Sequence, residues 1–302
     1  MLVDQRESQR QRKNGDLPPD PYLLRIRDLI YKVAGIFQPD GRIAILEERC
    51  EERIAELGSG SLKAYYEHLT TSGDRDTELH ALLNEITVGE TCFFRSQPQL
   101  DALCRVALPA IARAKTQTGP REIRLWSAGC STGEEPYTLT MVLLEEMRKT
   151  LPGWELETLA TDLNQESLER AKAAVYAEPA VRNVPALFLK KYFQTRSEQF
   201  HVTDEVKSKV SLRALNLLDA AGMEEVQEAD LIFCCNVLIY FDGAAKRRCL
   251  RHFSRILPPY GYLFVGPAES LFGVSEDFRL VHFAGATAYS KPSRTSGSSG
   301  LL

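Results

Sequence analysis

The sequence predicts an α/β fold, a parallel sheet covered by helices, preceded by a small all-helical unit. Three observations carry this prediction. Apolar residues recur at helical spacing from Tyr22 to about Leu83. From Glu122 onward, strand-like runs alternate with helix-like runs, the grammar of a parallel sheet with helices on both faces. Between the first strand and its helix stands a glycine-rich turn, "SAGCSTGEEP".

The helical unit opens with "YLLRIRDLIYKVAGI", which sets Leu23, Ile26, Ile30 and Val33 on one face. "GRIAILEERCEERIAELG" repeats the spacing with Ile43, Leu46, Cys50, Ile54 and Leu57, and Gly58 supplies a C-cap. "SLKAYYEHL" and "DTELHALLNEI" read as two shorter helices. A helix over Gln97–Lys115 follows "ITVGETCFFRS", and "TQTGP" reads as a turn. "EIRLWSAG" is then a buried strand and "EPYTLTMVLLEEMRK" a helix; "ELETLATDL" is a strand and "NQESLERAKAAVY" a helix. "ADLIFCCNVLIYF" reads as one long strand, "AAKRRCLRHFSRIL" as a helix and "GYLFVGPAE" as a strand. "FRLVHFAGATAYSKP" closes the fold as an antiparallel hairpin. Residues 179–211 break the alternation and read as a small β insert with a helix. The expected organisation is a disordered lead-in (1–20), a helical domain (21–88), an α/β domain (89–292) and a disordered tail (293–302).

Of the 302 residues, 44% are hydrophobic and 26% charged, with a net charge of −4, which argues against a nucleic-acid partner. The seven cysteines form no C-x-x-C pair, and with the five histidines they make no metal-ligand spacing, so no metal is expected. No run approaches the roughly 20 apolar residues that cross a bilayer. The polar start has no signal-peptide core, so a cytoplasmic chain with no membrane insertion is expected.

In an open α/β sheet, ligands bind beyond the carboxyl ends of the strands. Those ends here carry Gly129, Ser131, Thr132, Gly133, Glu134 and Glu135, then Asp162, Asn216, and Asn236 followed by Tyr240. Glycines let a ligand approach the backbone. An acid about 30 residues beyond the turn suits ribose hydroxyls. G-x-x-x-G is a weak match to a dinucleotide fingerprint, and two acids at the turn repel phosphate but attract a cation. S-adenosylmethionine (SAM), a nucleoside with ammonium and sulfonium groups, has matching features. Plainer readings stand beside this one. Acids and Pro136 in the first helical turn suit the helix dipole, Asp162 can act as an N-cap, and Asn236 can hold a neighbouring loop.

"EITVGETCFFR", "RLWSAGCSTGEEPYTLTM", "LATDLNQESLERAKAAVY", "LNLLD", "DLIFCCNVLIYFD" and "GYLFVGPAESL" together resemble the chemotaxis receptor glutamate methyltransferases (CheR type), in the same order from about Ile26 to Lys291. The resemblance implies a Rossmann-like class I SAM-dependent methyltransferase domain with a small β insert, joined to the helical domain. It implies that Glu135 binds the methionine ammonium, Asp162 the ribose, and Asn216 and Leu217 the adenine. Asn236 reaches the methionine end, and Thr91 and Arg95 line the cofactor site with Gly89, Gly129 and Cys235. Tyr240 stands near the transferred methyl. The chain departs from the family at two positions: Gly89 replaces the usual Asn, and Cys235 the Arg of FCRNV.

The implied reaction esterifies a glutamate of a receptor's cytoplasmic helical domain and leaves S-adenosylhomocysteine (SAH). An acceptor carboxylate with a pKa of about 4.3 is already ionised, so no general base is needed. Arg95 and Tyr240 are the expected catalytic pair, Arg95 orienting the carboxylate and Tyr240 fixing its angle. A basic docking stripe over Arg42, Arg49 and Arg53 competes with an ordinary salt-bridged face, because Glu47, Glu48, Glu51 and Glu52 crowd the same helix. The insert is short, so tethering to a receptor's C-terminal peptide is not expected. A different acceptor, or a SAM- or SAH-binding signalling domain without methyl transfer, are the alternatives.

Overall fold

A computed structural model of the chain describes residues 18–87, 91–283 and 285–292. The expected lead-in lies outside the described residues as far as residue 17, and so does the whole expected tail, 293–302. The chain divides into two compact units, one ending at Ile86 and the other starting at Thr87.

The first unit is all helical. Helix α1 (Pro21–Ala34) starts where the Asp20 side chain accepts the Tyr22 N–H at 2.7 Å, and it stops at Gly35 in the left-handed region. It buries Leu23, Ile26, Ile30 and Ala34. Val33, expected on that face, is 39% exposed. The i, i+4 row from Ile26 through Ile30 continues to Ala34, and the residue before it turns outward. Helices α2 (Ile43–Leu57), α3 (Leu62–Thr71) and α4 (Arg75–Ile86) follow, with Leu46, Cys50, Tyr65, Leu69, Leu82 and Leu83 in the core. Arg53 reaches across from α2 to the buried Glu78 on α4, with Nε at 3.0 Å and Nη2 at 2.6 Å, and the Tyr65 hydroxyl donates to the same carboxylate at 2.7 Å. Arg53 also meets Glu56, and Arg49 meets Glu52. Two of the three arginines of the candidate docking stripe are thus neutralised by carboxylates of their own unit.

The second unit is built on a sheet. Among the described residues, seven strands run in the order β6-β2-β1-β7-β8-β10-β9. They are β1 (Glu122–Ala128), β2 (Glu155–Asp162), β6 (Val210–Ala214), β7 (Leu231–Cys234), β8 (Tyr262–Val265), β9 (Arg279–Phe283) and β10 (Ala286–Ser290). The first five pair in parallel, and β10 pairs antiparallel with β8 and β9. The chain moves outward from β1 through β2 to β6, then returns to β7 on the other side of β1. The order reverses between β1 and β7, which makes their carboxyl ends the switch-point crevice.

Alternate residues of the central strands enter two separate cores. Leu125, Leu231 and Phe233 pack with α7 (Glu134–Thr150) and with α5 (Gln97–Ala102) and α6 (Leu108–Thr118). Trp126, Ile232 and Cys234 face the opposite side, against Cys249, Leu250, Phe253 and Ile256 of α13 (Gly243–Ile256). At the amino end of β7, the buried Asp230 pairs with Lys115 Nζ at 2.9 Å and accepts the Arg124 N–H at 2.8 Å.

Three sequence expectations change. The run Leu231–Phe241 does not make one long strand: β7 ends at Cys234, Asn236 takes a left-handed φ of 62°, and Leu238–Tyr240 form a single 3₁₀ turn. The expected helix over 97–115 contains a π turn, Leu103–Ala107, before α6. Pro109 carries no N–H to continue the α-helical ladder there, and the helix then runs on to Thr118 through the expected turn. The excursion beyond α8 (Gln165–Ala173) begins with β3 (Val175–Tyr176). After two short helices, α9 (Glu178–Val181) and α10 (Ala186–Tyr192), come β4 (Phe193–Arg196) and β5 (Gln199–Val202). A short helix, α11 (Asp204–Lys207), then leads to β6, and α12 (Ala220–Glu224) lies between β6 and β7. Strands β3, β5 and β4 form a separate antiparallel sheet.

Candidate functional site

The site is built from four strand ends and one preceding loop. After β1, the chain turns through Gly129 (φ 83°) and Gly133 (φ 96°), both in the left-handed region. A Cβ at Gly129 would sit 2.3 Å from Val237 Cγ2, and one at Gly133 would sit 2.9 Å from Ala171 Cβ and from the Tyr176 hydroxyl. Only glycine fits either place. The N–H groups of Gly129 and Cys130 donate to the Thr161 carbonyl at 2.7 and 2.9 Å, fixing the turn to the end of β2. Asp162, at that end, accepts the Ser131 N–H at 2.7 Å and the Asn164 N–H at 2.8 Å. Burial pushes its carboxyl above the ordinary value, and these backbone bonds oppose the shift.

The two glutamates of the turn differ in their surroundings. Glu134 accepts the Thr132 hydroxyl at 2.6 Å and is buried, which raises its carboxyl. Glu135 points back to the sheet, where the hydroxyl of Ser127, a fully buried β1 residue, donates to it at 2.7 Å. Loss of water around its carboxyl is the main force pushing Glu135 up to about 7, and the charge of Glu269 adds to it. The Ser127 hydroxyl, the Cys235 thiol and the charge of Arg95 act in the opposite direction. Loss of water and the nearby charges of Asp162, Glu135 and Glu134 push the Cys130 thiol well above its ordinary value.

Arg95 follows Phe94, which adopts a left-handed φ of 54° and donates its N–H to the Thr138 hydroxyl at 3.1 Å. Phe93 and Phe94 are buried, edge-on to Tyr176, Phe193 and Phe188, and these two anchors leave Arg95 exposed. Thr91 is half-buried upstream, and Gly89 lies outside the described residues. Cys235 sits within sulfur hydrogen-bond reach of Gln99, whose amide donates to the Val265 carbonyl at 2.7 Å. Asn236 and Tyr240 lie in the loop between β7 and α13 and are half-buried. The Asn216 side chain accepts the Leu218 N–H at 2.9 Å, and Leu217 is buried in the core cluster that also holds Trp126.

Glu135 therefore shares contacts or charge with Arg95 and Cys235, while the turn that carries it is joined to Asp162. Two residues outside the sequence expectations also belong to this cluster: Ser127, which holds Glu135, and Glu269, which binds the loop of Asn236. Ser127 stands in an apolar strand as a small polar residue on the side of the GEEP turn, and that was its sequence signal. A buried carboxylate with neutral hydrogen-bond donors and a second carboxylate nearby suits a cationic ligand. The Gly129 and Gly133 turn gives backbone access, and Asp162 keeps a lone pair on each oxygen for hydroxyl donors. The donor set thus fits the ammonium and ribose of SAM.

No helix of the described residues is long and apolar enough to cross a membrane. The family model for the CheR methyltransferase SAM-binding domain matches residues 89–286, and that for the CheR all-alpha domain matches residues 22–87. Chemotaxis protein methyltransferase 2 of Vibrio cholerae is 34% identical over 275 residues, covering 90% of this chain and 93% of that protein. The chemotaxis protein methyltransferase of Escherichia coli K12 is 33% identical over 275 residues, covering 89% and 90%. The probable biofilm formation methyltransferase WspC of Pseudomonas putida is 34% identical over 253 residues, 81% of this chain and 58% of that protein. Over both of its units, the chain belongs to the CheR methyltransferase family.

Proposed function

We propose that this chain is a SAM-dependent protein-glutamate O-methyltransferase that esterifies glutamate side chains of chemoreceptors. The observation that carries this reading is the match of both CheR family models, in order, along one chain. Bound SAM supplies a methyl group already activated by its sulfonium. Glu135 holds the ammonium end, with Ser127 and Cys235 orienting its carboxylate. Asp162 takes the ribose hydroxyls, and Asn216 and Leu217 border the adenine. Thr91, Gly129, Cys235 and Asn236 complete the wall around the methionine arm.

The acceptor glutamate is an anion at neutral pH and needs no proton removed. The work left to the protein is to place that anion in line and to exclude water. Arg95, exposed beside the cluster, attracts and orients the carboxylate, and Tyr240 fixes its angle through its hydroxyl. These roles make Arg95 and Tyr240 the catalytic pair. The partner surface is the cytoplasmic helical domain of a receptor, and the chain works in the cytoplasm.

The test incubates the purified full-length chain with tritiated SAM and cytoplasmic fragments of the organism's own receptors. Base-labile label on glutamate is the expected result; absence of such label on every receptor refutes the proposal. The WspC relative favours a second reading, the same chemistry on a receptor that serves biofilm formation. Which receptor takes the label distinguishes the two.

A further inference from the structure

The loop that carries Asn236 and Tyr240 is held by Glu269, the carboxylate whose charge also reaches Glu135. Glu269 follows β8 and is only 6% exposed. Its Oε2 accepts the N–H of Asn236 at 2.9 Å and of Gly266 at 2.7 Å, and its Oε1 accepts the N–H of Ile239 at 3.1 Å. Its own N–H donates to the Gly266 carbonyl at 2.9 Å. One carboxylate thus ties the end of β8 to both sides of the bend after β7. A buried carboxylate is costly unless its oxygens are bonded, and bonds to an ionised acceptor are among the stronger ones.

The bend needs such a fastening. Asn236 lies at φ 62°, in the left-handed region, which asparagine enters more readily than other residues with a side chain but still less readily than glycine, and the chain holds it there while Leu238 enters the core. Gly266 is part of the device: a Cβ there would meet Glu269 Oε2 at 2.9 Å and the Asn236 nitrogen at 3.0 Å. A glutamine at 269 keeps the shape but turns an N–H₂ toward a backbone N–H, so at least one bond is lost together with the charge.

We propose that Glu269 is a positioning residue for methyl transfer, a clamp that sets the Asn236–Tyr240 loop against the methyl-transfer site. The inference rests on the methyltransferase reading for its rate arm only. Glu269 acts on the site through the loop and through its charge. The charged and titratable groups facing Glu135 are Arg95 from the loop before α5, Cys130 of the turn after β1, Cys234 at the end of β7, Cys235 after it and Glu269 after β8, and Ser127 of β1 donates a neutral hydroxyl.

The test uses the full-length chain with Glu269→Gln and Glu269→Asp. For Glu269→Gln, kcat for receptor methylation is expected to fall by at least about thirtyfold, with the KM for SAM changing by less than about fivefold. The pH midpoint of SAH binding, followed by calorimetry, is expected to move down by about half a unit or more, because a negative neighbour of Glu135 is gone. Glu269→Asp keeps the charge at a shorter reach, so its midpoint stays while kcat falls. A role in fold stability alone lowers the melting temperature and leaves the midpoint and the kcat of folded protein unchanged; that result overturns the proposal. If both variants fail to fold, amide exchange in the wild-type chain decides. Protection of the Asn236, Ile239 and Gly266 amides to the level of β8 supports the clamp, and fast exchange at all three refutes it. A wild-type chain that binds SAH but labels no receptor sinks the receptor reading, and the pH midpoint still judges the clamp. A wild-type chain that binds no SAH overturns both.

Discussion

Glu78 and Glu135 are both carboxylates drawn into the interior, one in each unit, and they are treated in opposite ways. Glu78 meets an arginine in a two-point contact and a tyrosine hydroxyl, all from its own helical unit. Its charge is answered within the fold. Glu135 receives a serine hydroxyl and a cysteine thiol, both neutral, and although the charge of Arg95 acts on it from the loop before α5, its carboxyl is still pushed up to about 7. The first arrangement closes a structure. The second leaves a demand for positive charge that a ligand can meet, and that difference marks Glu135 as the candidate binding acid.

Breaking the closed arrangement has the largest expected effect. Arg53→Met strands Glu78 without its cation and should cost about 3–5 kcal/mol of stability. Denaturant unfolding measures this, and activity per folded molecule should stay near wild type. Glu135→Gln acts in the reverse direction. SAM affinity is expected to fall by about 30- to 1000-fold, the range for removing one partner of an enclosed charge contact. The melting temperature of the free chain at pH 8, however, should hold or rise. Arg95→Ala should lower kcat/KM by about a hundredfold, as when a charged group aimed at the reacting centre is removed. Single-turnover assays with tritiated SAM check it.

The pH dependence sharpens the comparison further. Between the ordinary carboxyl value and about 7, folded Glu135 holds a proton that an unfolded chain has released, so the free chain loses stability as pH rises through that window. A cationic ligand needs the ionised form, so SAH affinity is expected to rise with pH and level off above about 7. Below that point it should fall by up to about tenfold per pH unit. Calorimetry at several pH values reads both the slope and the plateau. The smallest effect belongs to Ser127→Ala. It removes one hydrogen bond to Glu135 and should weaken SAH binding by about 1 kcal/mol, with the pH midpoint moved upward.

Much of the site was legible in the sequence because strand ends announce themselves. Gly129, Gly133, Glu135 and Asp162 follow apolar runs directly, and the parallel topology brings their positions to one edge. The fold class was legible for the same reason: alternation of strand and helix leaves few ways to build a sheet. What the sequence hid were contacts made through the backbone. Glu269 stands in the run "GYLFVGPAESL", yet its partners are three N–H groups, and a backbone donor has no residue signature. The early end of β7 was hidden by an apolar run that continues past it to Phe241, since apolar character alone does not reveal a reversal of φ at Asn236. In the helical unit, the crowding of Glu47, Glu48, Glu51 and Glu52 already set a salt-bridged face beside the arginine stripe, and Arg49 meets Glu52 one turn on; the Arg53 partner on α4 lies where spacing gives no direction.

The contact between Gly129 and Val237 has a consequence for how this chain can change over generations. The two residues belong to different strand ends, and Val237 Cγ2 occupies the space where a side chain at 129 would begin. A mutation enlarging position 129 must displace the neighbour of Asn236, and shrinking Val237 relieves only the crowding, leaving the φ of 83° to be tolerated. The pair therefore forms a one-way gate in sequence space. Drift at 237 toward smaller residues is open while 129 stays glycine, and escape from glycine is closed until 237 has moved first.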